Sequence, residues 1–179
     1  MRIIGGKYRG KKLISPASAA VRPTSDKARG ALFNILRSRA GGHFSELSLV
    51  DIFAGSGAFA LEAISQGFAD VALVDVNVAD LQKNVKLFEA EKNKISVIKA
   101  DITKTLKLEK KYDVLFMDAP YNQGLSELAL KAVKPYLKKG AVCMVELERN
   151  EQIKIPEGFE QIDERHYGIA KVLVLTFIG

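Results

Sequence analysis

Leu49-Val50-Asp51-Ile52-Phe53-Ala54-Gly55-Ser56-Gly57-Ala58 is the stretch on which the fold turns. An apolar run interrupted only by Asp51 leads into a glycine turn, and an apolar helical pattern follows over residues 58–66. Strand, glycine turn and helix in that order open a βαβ unit. The alternation continues outward, with strands expected at 71–76, 95–99, 112–117 and 141–147 and helices at 78–91 and 125–137. Alternating strands and helices predict an α/β fold with a parallel sheet covered on both faces. Residues 159–167 and 170–177 break the pattern. They read as strands separated only by Gly168 and Ile169, too close for a helical crossover, and so as an antiparallel pair. Upstream, residues 2–4 and 12–14 flank a Gly- and Lys-rich turn and read as a β-hairpin. Residues 16–23 read as a loop, and Thr24 or Ser25 can cap a helix expected over 26–39, with Ala28, Ala31, Leu32, Ile35 and Leu36 on its apolar face.

The chain has 179 residues and a net charge of +6, from 27 basic and 21 acidic side chains. It is expected to form one domain over 1–179, a basic hairpin extension (1–24) leading a core (25–179). Charge is concentrated at the start. Ten basic residues against Asp26 and Glu46 leave the first fifty residues at +8 and the remainder at −2. Such an arm suits a polyanion, and Arg and Lys interleaved with Gly5, Gly6, Gly10 and Tyr8 suit nucleic acid. One Cys and two separated His offer neither a disulfide framework nor a zinc constellation, so no metal is expected. Cys143 reads as an inert core thiol. No run is long enough for a membrane span and no signal peptide is recognisable, which points to the cytoplasm.

In open α/β sheets ligands bind beyond the carboxyl ends of the strands. The first such end carries the glycine turn, closed by Ala60 in G-x-G-x-x-A spacing, where backbone can approach a ligand. No G-x-x-x-x-G-K-[ST] phosphate loop is present, which argues against a nucleoside triphosphatase. Asp51 would repel phosphate and suit an ammonium. Asp75, twenty residues after Gly55, is placed to accept ribose hydroxyls, and Asp101 to accept an exocyclic amine such as that of adenine. Any one such acid is also an ordinary turn cap. Together with the glycine turn they predict an adenosine site without a pyrophosphate. The fourth strand end gives Asp118-Ala119-Pro120-Tyr121. A base amine is a poor nucleophile because its lone pair is delocalised. The Asp118 carboxylate and the Ala119 carbonyl can accept its N–H bonds and localise that pair, Pro120 can fix the turn, and Tyr121 can stack on an extruded base.

Read together, these residues resemble class I S-adenosylmethionine-dependent methyltransferases that act on base amines. Residues 1–13 (MRIIGGKYRGKKL), 22–29 (RPTSDKAR) with Leu32-Phe33-Asn34, and 53–58 (FAGSGA) resemble the bacterial 16S rRNA guanine-N2 methyltransferase family. The resemblance implies a Rossmann-like, seven-stranded, mostly parallel sheet ending in an antiparallel hairpin, with an N-terminal β-hairpin that grips small-subunit rRNA or a ribosomal particle. It implies S-adenosylmethionine held by Asp51, Phe53, Gly55, Gly57, Asp75 and Asp101. The active-site tetrapeptide would be Asp118, Ala119, Pro120 and Tyr121, and the RNA contacts Lys7, Arg9, Lys11, Lys12, Arg22 and Arg29. A monomer without membrane contact is expected. Two positions depart from the family pattern. Ala119 replaces a proline, which keeps the carbonyl acceptor, and Gly30 stands where Glu is usual. The tetrapeptide alone also admits an adenine or cytosine amine of DNA or another RNA. A non-catalytic RNA-binding assembly factor with a vestigial pocket is a further alternative. A nicotinamide-dependent oxidoreductase is disfavoured by Asp51 and the tetrapeptide.

Overall fold

The computed structural model describes residues 1–15 and 26–179. The loop expected over 16–23, the caps Thr24 and Ser25, and Arg22 lie outside the described residues. The chain divides into two compact units, Met1–Lys99 and Ala100–Gly179.

The first unit contains α1 (Asp26–Arg39), β1 (Ser48–Ile52), α2 (Ala58–Ser65), β2 (Asp70–Asp75), α3 (Ala79–Lys86) and β3 (Ile95–Lys99). β1 pairs with β2 and β2 with β3, both in parallel. Every β1 residue is buried, as a near-continuous apolar run in a parallel sheet requires. The buried face of α1 includes Ala28, Leu32 and Leu36 as expected, and also Phe33, which the helical spacing left off it. Phe33 stacks on Phe59 at 4.8 Å and meets Phe44 and Phe68 edge-on at 6.3 Å. Burying each such ring stabilises the unit by roughly 1.5–3 kcal/mol. The helix expected over 78–91 is two pieces, because α3 ends at Lys86 and a 3-10 turn follows over Glu89–Lys94. The break accommodates two contacts: Phe88 is buried against Tyr8, ring centres 4.9 Å apart, and the Glu91 carboxylate accepts from Lys7 Nζ at 2.6 Å and Tyr8 Oη at 3.1 Å.

The N-terminal hairpin is present in minimal form, as one antiparallel bridge between Arg2 and Lys12. Its stability comes from what it lies on. The buried Glu62 of α2 accepts the backbone N–H groups of Ile4 and Gly5 at 2.8 Å each, and Ser65 accepts from the Tyr8 N–H and donates to the Gly5 carbonyl. Arg29, expected to contact RNA, is turned inward. It is 1% exposed, pairs with Asp26 and, at 3.6 Å, with Glu62, and donates to the Arg2 carbonyl. The sequence reading saw its charge but not the buried acid 33 positions away that claims it. Removing one partner of so buried a pair costs about 3–5 kcal/mol. Gly30 also has a local reason, since a Cβ there would stand 3.3 Å from Ile4 Cδ1 of the hairpin.

The second unit contains β4 (Tyr112–Asp118), α4 (Leu125–Val133), β5 (Leu137–Glu148), β6 (Phe159–Tyr167) and β7 (Ala170–Phe177). Its strand order is β4-β5-β7-β6, with β4 and β5 parallel and the other pairs antiparallel. The closing pair falls at the expected residues. The fourth helix was expected to reach 137 but ends at Val133, because Pro135 supplies no N–H and its ring opposes continuation; a 3-10 turn over Lys134–Tyr136 takes its place. β5 is longer than expected and includes Lys138, Lys139 and Gly140, whose exposed, polar character reads as loop. Cys143 is buried, and burial pushes its thiol pKa well up. No described helix is long and apolar enough to cross a membrane.

The Glu91 contacts predict a pH signature. Hydrogen bonds from Lys7 and Lys94 hold its carboxyl at about 2, below an ordinary 4.5. A carboxylate depressed on folding stabilises the native state above its unfolded pKa and loses that contribution as pH falls toward the folded one. Urea titrations of Glu91→Gln against the wild type will show a deficit at pH 7 that shrinks below pH 4.5 and closes near pH 2.

Candidate active site

In the first unit, the end of β1 and the end of β2 meet. Phe53 leaves the strand with φ 65°, a left-handed conformation that costs a bulky side chain on the order of 1 kcal/mol and marks a backbone held by its surroundings. The Ala54 N–H then donates to the Val74 carbonyl at 3.0 Å, and the Gly55 N–H to Asp75 Oδ2 at 2.8 Å. Asp75 Oδ1 accepts from the Asn77 N–H at 2.9 Å. Each carboxylate oxygen has a second lone pair, so Asp75, half-exposed, retains acceptor capacity. The two glycines differ. A Cβ on Gly55 would meet nothing nearer than Phe53 O at 3.9 Å, whereas one on Gly57 would lie 2.5 Å from Leu81 Cδ1 and 2.9 Å from Leu73 Cδ2. Gly55 presents open backbone, and Gly57 is needed for packing at the start of α2. Asp51 is 2% exposed, accepts the Ala60 N–H in the first turn of α2, and has its pKa raised well above the ordinary value, first by desolvation and secondarily by the Asp75 charge. It lies beneath the turn rather than at its surface.

In the second unit, Asp118 closes β4 opposite Glu146 of β5. Ala119 is buried, Pro120 exposed, and Tyr121 half-buried with its hydroxyl donating to Glu146 Oε1 at 3.3 Å. Desolvation, followed by the Asp118 and Glu146 charges, pushes the Tyr121 pKa well up, so the phenol stays protonated. Asn122, with φ 58°, donates to Glu148. Asp101 closes a tight turn: Oδ1 accepts from the N–H of Thr103 at 3.0 Å and from its hydroxyl at 2.6 Å, and Lys104 lies 3.6 Å from Oδ2. These donors hold its pKa below the ordinary value, Thr103 contributing most.

On the hairpin, Arg9 and Lys12 are exposed. Lys7 is bound to Glu91 yet largely exposed, and Lys11 donates to the Leu87 carbonyl across the rings of Tyr8 and Phe88. Three residues escaped the sequence reading. Val76 is 58% exposed directly after Asp75, and an apolar side chain left in water beside a strand-end acid was a usable signal. Glu146 was a further strand-end acid, hidden in what reads as an apolar strand. Asn84 of α3 is buried; it donates to the Ser56 and Ile14 carbonyls and accepts the Ile14 N–H. No local pattern announces it.

Residues 1–176 match the family described as conserved hypothetical protein 95. The chain belongs to this family. It is 31% identical to Ribosomal RNA small subunit methyltransferase D of Haemophilus influenzae, over 94% of this chain and 90% of that protein. It is 33% identical to the Escherichia coli protein of the same name, over 83% and 75% respectively. Among solved structures, Escherichia coli yhhF, described as a candidate methyltransferase, matches with a TM-score of 0.84 at 28% identity, covering 99% of this chain and 98% of that one. The chain is a methyltransferase with the class I fold, its seven strands mostly parallel and ending in the antiparallel hairpin expected from sequence.

The contrast between the glycines is measurable by urea denaturation. Gly57→Ala combines a left-handed backbone with overpacking and will cost about 2–4 kcal/mol, whereas Gly55→Ala carries the backbone penalty alone, about 1 kcal/mol. Equal losses would contradict the division of labour.

Proposed function

We propose that this methyltransferase uses S-adenosylmethionine to methylate the exocyclic N2 amine of a guanine in small-subunit rRNA, as a single catalytic domain working in the cytoplasm. The observation that carries the reading is the end of β4, where a half-exposed carboxylate, a backbone carbonyl and an anchored tyrosine lie within four residues. The names of the curated relatives support the RNA class, and the chemistry of the Asp118-Ala119-Pro120-Tyr121 tetrapeptide supports a base amine.

The turn after β1 fits an adenosyl group by its own chemistry. Gly55 leaves its backbone face clear, Asp75 has lone pairs for ribose hydroxyls, and exposed Val76 offers an apolar surface to a ring. Asp101 keeps acceptor capacity at Oδ2 for an adenine amine. Asp51 lies beneath the turn, where burial disfavours its charged form, so its part is to hold α2 under the ligand, and Phe53 and Gly57 shape the backbone above it. Bound there, S-adenosylmethionine supplies a methyl group on positively charged sulfur. The chain's own contribution is to the acceptor. The Asp118 carboxylate and the Ala119 carbonyl take the two N–H bonds of the amine and concentrate its lone pair on nitrogen. Replacing proline by Ala119 leaves that carbonyl in place. Pro120 restricts the turn, and Tyr121 offers its ring to the base. Lys7, Arg9, Lys11 and Lys12 contact phosphates, Arg22 extends the same basic segment, and Arg29 serves by holding the hairpin.

Asp118→Ala will lower kcat on unmethylated small ribosomal subunits by about 100-fold or more while cofactor affinity by calorimetry stays within threefold. Asp75→Ala will weaken cofactor binding by about tenfold or more. An Asp118→Ala enzyme transferring methyl at the wild-type rate would overturn the reading. Replacing Arg9, Lys11 and Lys12 by Ala will make the dependence of log RNA affinity on log salt shallower by about 2–3, at roughly 0.7–0.9 per phosphate contact, without altering cofactor affinity.

A further inference from the structure

Glu146 is an expensive residue for its position. It is 4% exposed on β5 between the buried Val145 and Leu147, with the buried Val172 of β7 opposite it, where an apolar side chain would pack without desolvating a carboxylate. On its other side it stands in register with Asp118, and its Oε1 accepts the Tyr121 hydroxyl at 3.3 Å. Tyr121 is the only tyrosine in the tetrapeptide turn, and its ring, half-buried after a proline, has its tip tied to a strand rather than to the turn itself. A phenol that donates to an acid on a rigid strand has the travel of its ring's tip restricted.

We propose that Glu146 is a positioning residue for methyl transfer: it orients the Tyr121 ring, and through it the base presented to Asp118 and the Ala119 carbonyl. This inference rests on the function proposed above. Glu146 contributes by restricting the acceptor, so its loss appears in kcat, because a misplacement of about 1 Å can cost on the order of 100-fold in rate. The adjacent Asn122 side chain is tied to Glu148 of the same strand, so the turn is moored to β5 twice.

The test is a double-mutant cycle on unmethylated small subunits with wild type, Y121F, E146Q, E146M and Y121F/E146M; methionine keeps the side chain's length, so that folding survives. E146M will lower kcat about 10- to 100-fold with the cofactor KM within threefold. E146Q, whose amide oxygen still accepts from the phenol, will retain at least a third of wild-type kcat. In the Y121F background, E146M will cost less than a further threefold. Additive losses in the cycle, or an E146Q as impaired as E146M, would overturn the proposal while leaving the enzymatic reading intact. Wild-type protein that leaves the RNA unmethylated would remove that reading and this inference with it.

Discussion

Turns that leave a parallel sheet carry backbone N–H groups with no neighbouring strand to receive them, and in this chain carboxylates receive them. Asp75 takes the N–H of Gly55 and of Asn77, Asp51 that of Ala60, Asp101 that of Thr103, and Glu62 those of Ile4 and Gly5. An N–H left unpaired away from water costs on the order of 1–3 kcal/mol, so the less exposed of these bonds, at Gly55, Ile4 and Gly5, help hold the loops in shape. Glu62 carries this furthest. Sitting within α2, directly after the glycine turn, it fixes the hairpin that bears the basic residues, while Arg29 balances its charge.

That economy changes how strand-end acids are read. A carboxylate that caps a turn retains lone pairs, so the structural role of Asp75, whose side chain remains accessible, is compatible with the ligand role proposed for it. At Asp51 they separate. Its burial assigns it to the support of α2. The glycines divide similarly, with Gly55 open and Gly57 closed against Leu73 and Leu81.

Much of the architecture was legible. Apolar runs bounded by Gly and Asp located the strands, and the two-strand ending with Gly168 between fell as expected. Helix ends were misjudged where one residue overrode periodicity, as with Pro135 after α4 and the buried Phe88 after α3. The strand-end acids themselves were legible because the alternation of strand and helix located the ends of the strands that carry them. What remained hidden was pairing over long separations. Arg29 with Glu62, Asn84 with Ile14 and Ser56, and Tyr121 with Glu146 join residues 25 to 70 positions apart. Their partners are chosen by packing, so charge or polarity alone assigned Arg29 to the surface and left Glu146 unremarked.

The central claim is that Asp118 and the Ala119 carbonyl prepare a guanine amine for methylation. It is tested most directly by incubating the protein with methyl-labelled S-adenosylmethionine and unmodified small ribosomal subunits, digesting the RNA to nucleosides and locating the label. The account predicts label in N2-methylguanosine at a single position, approaching one methyl per subunit. Label on an adenine or cytosine, or RNA that remains unlabelled, would contradict it.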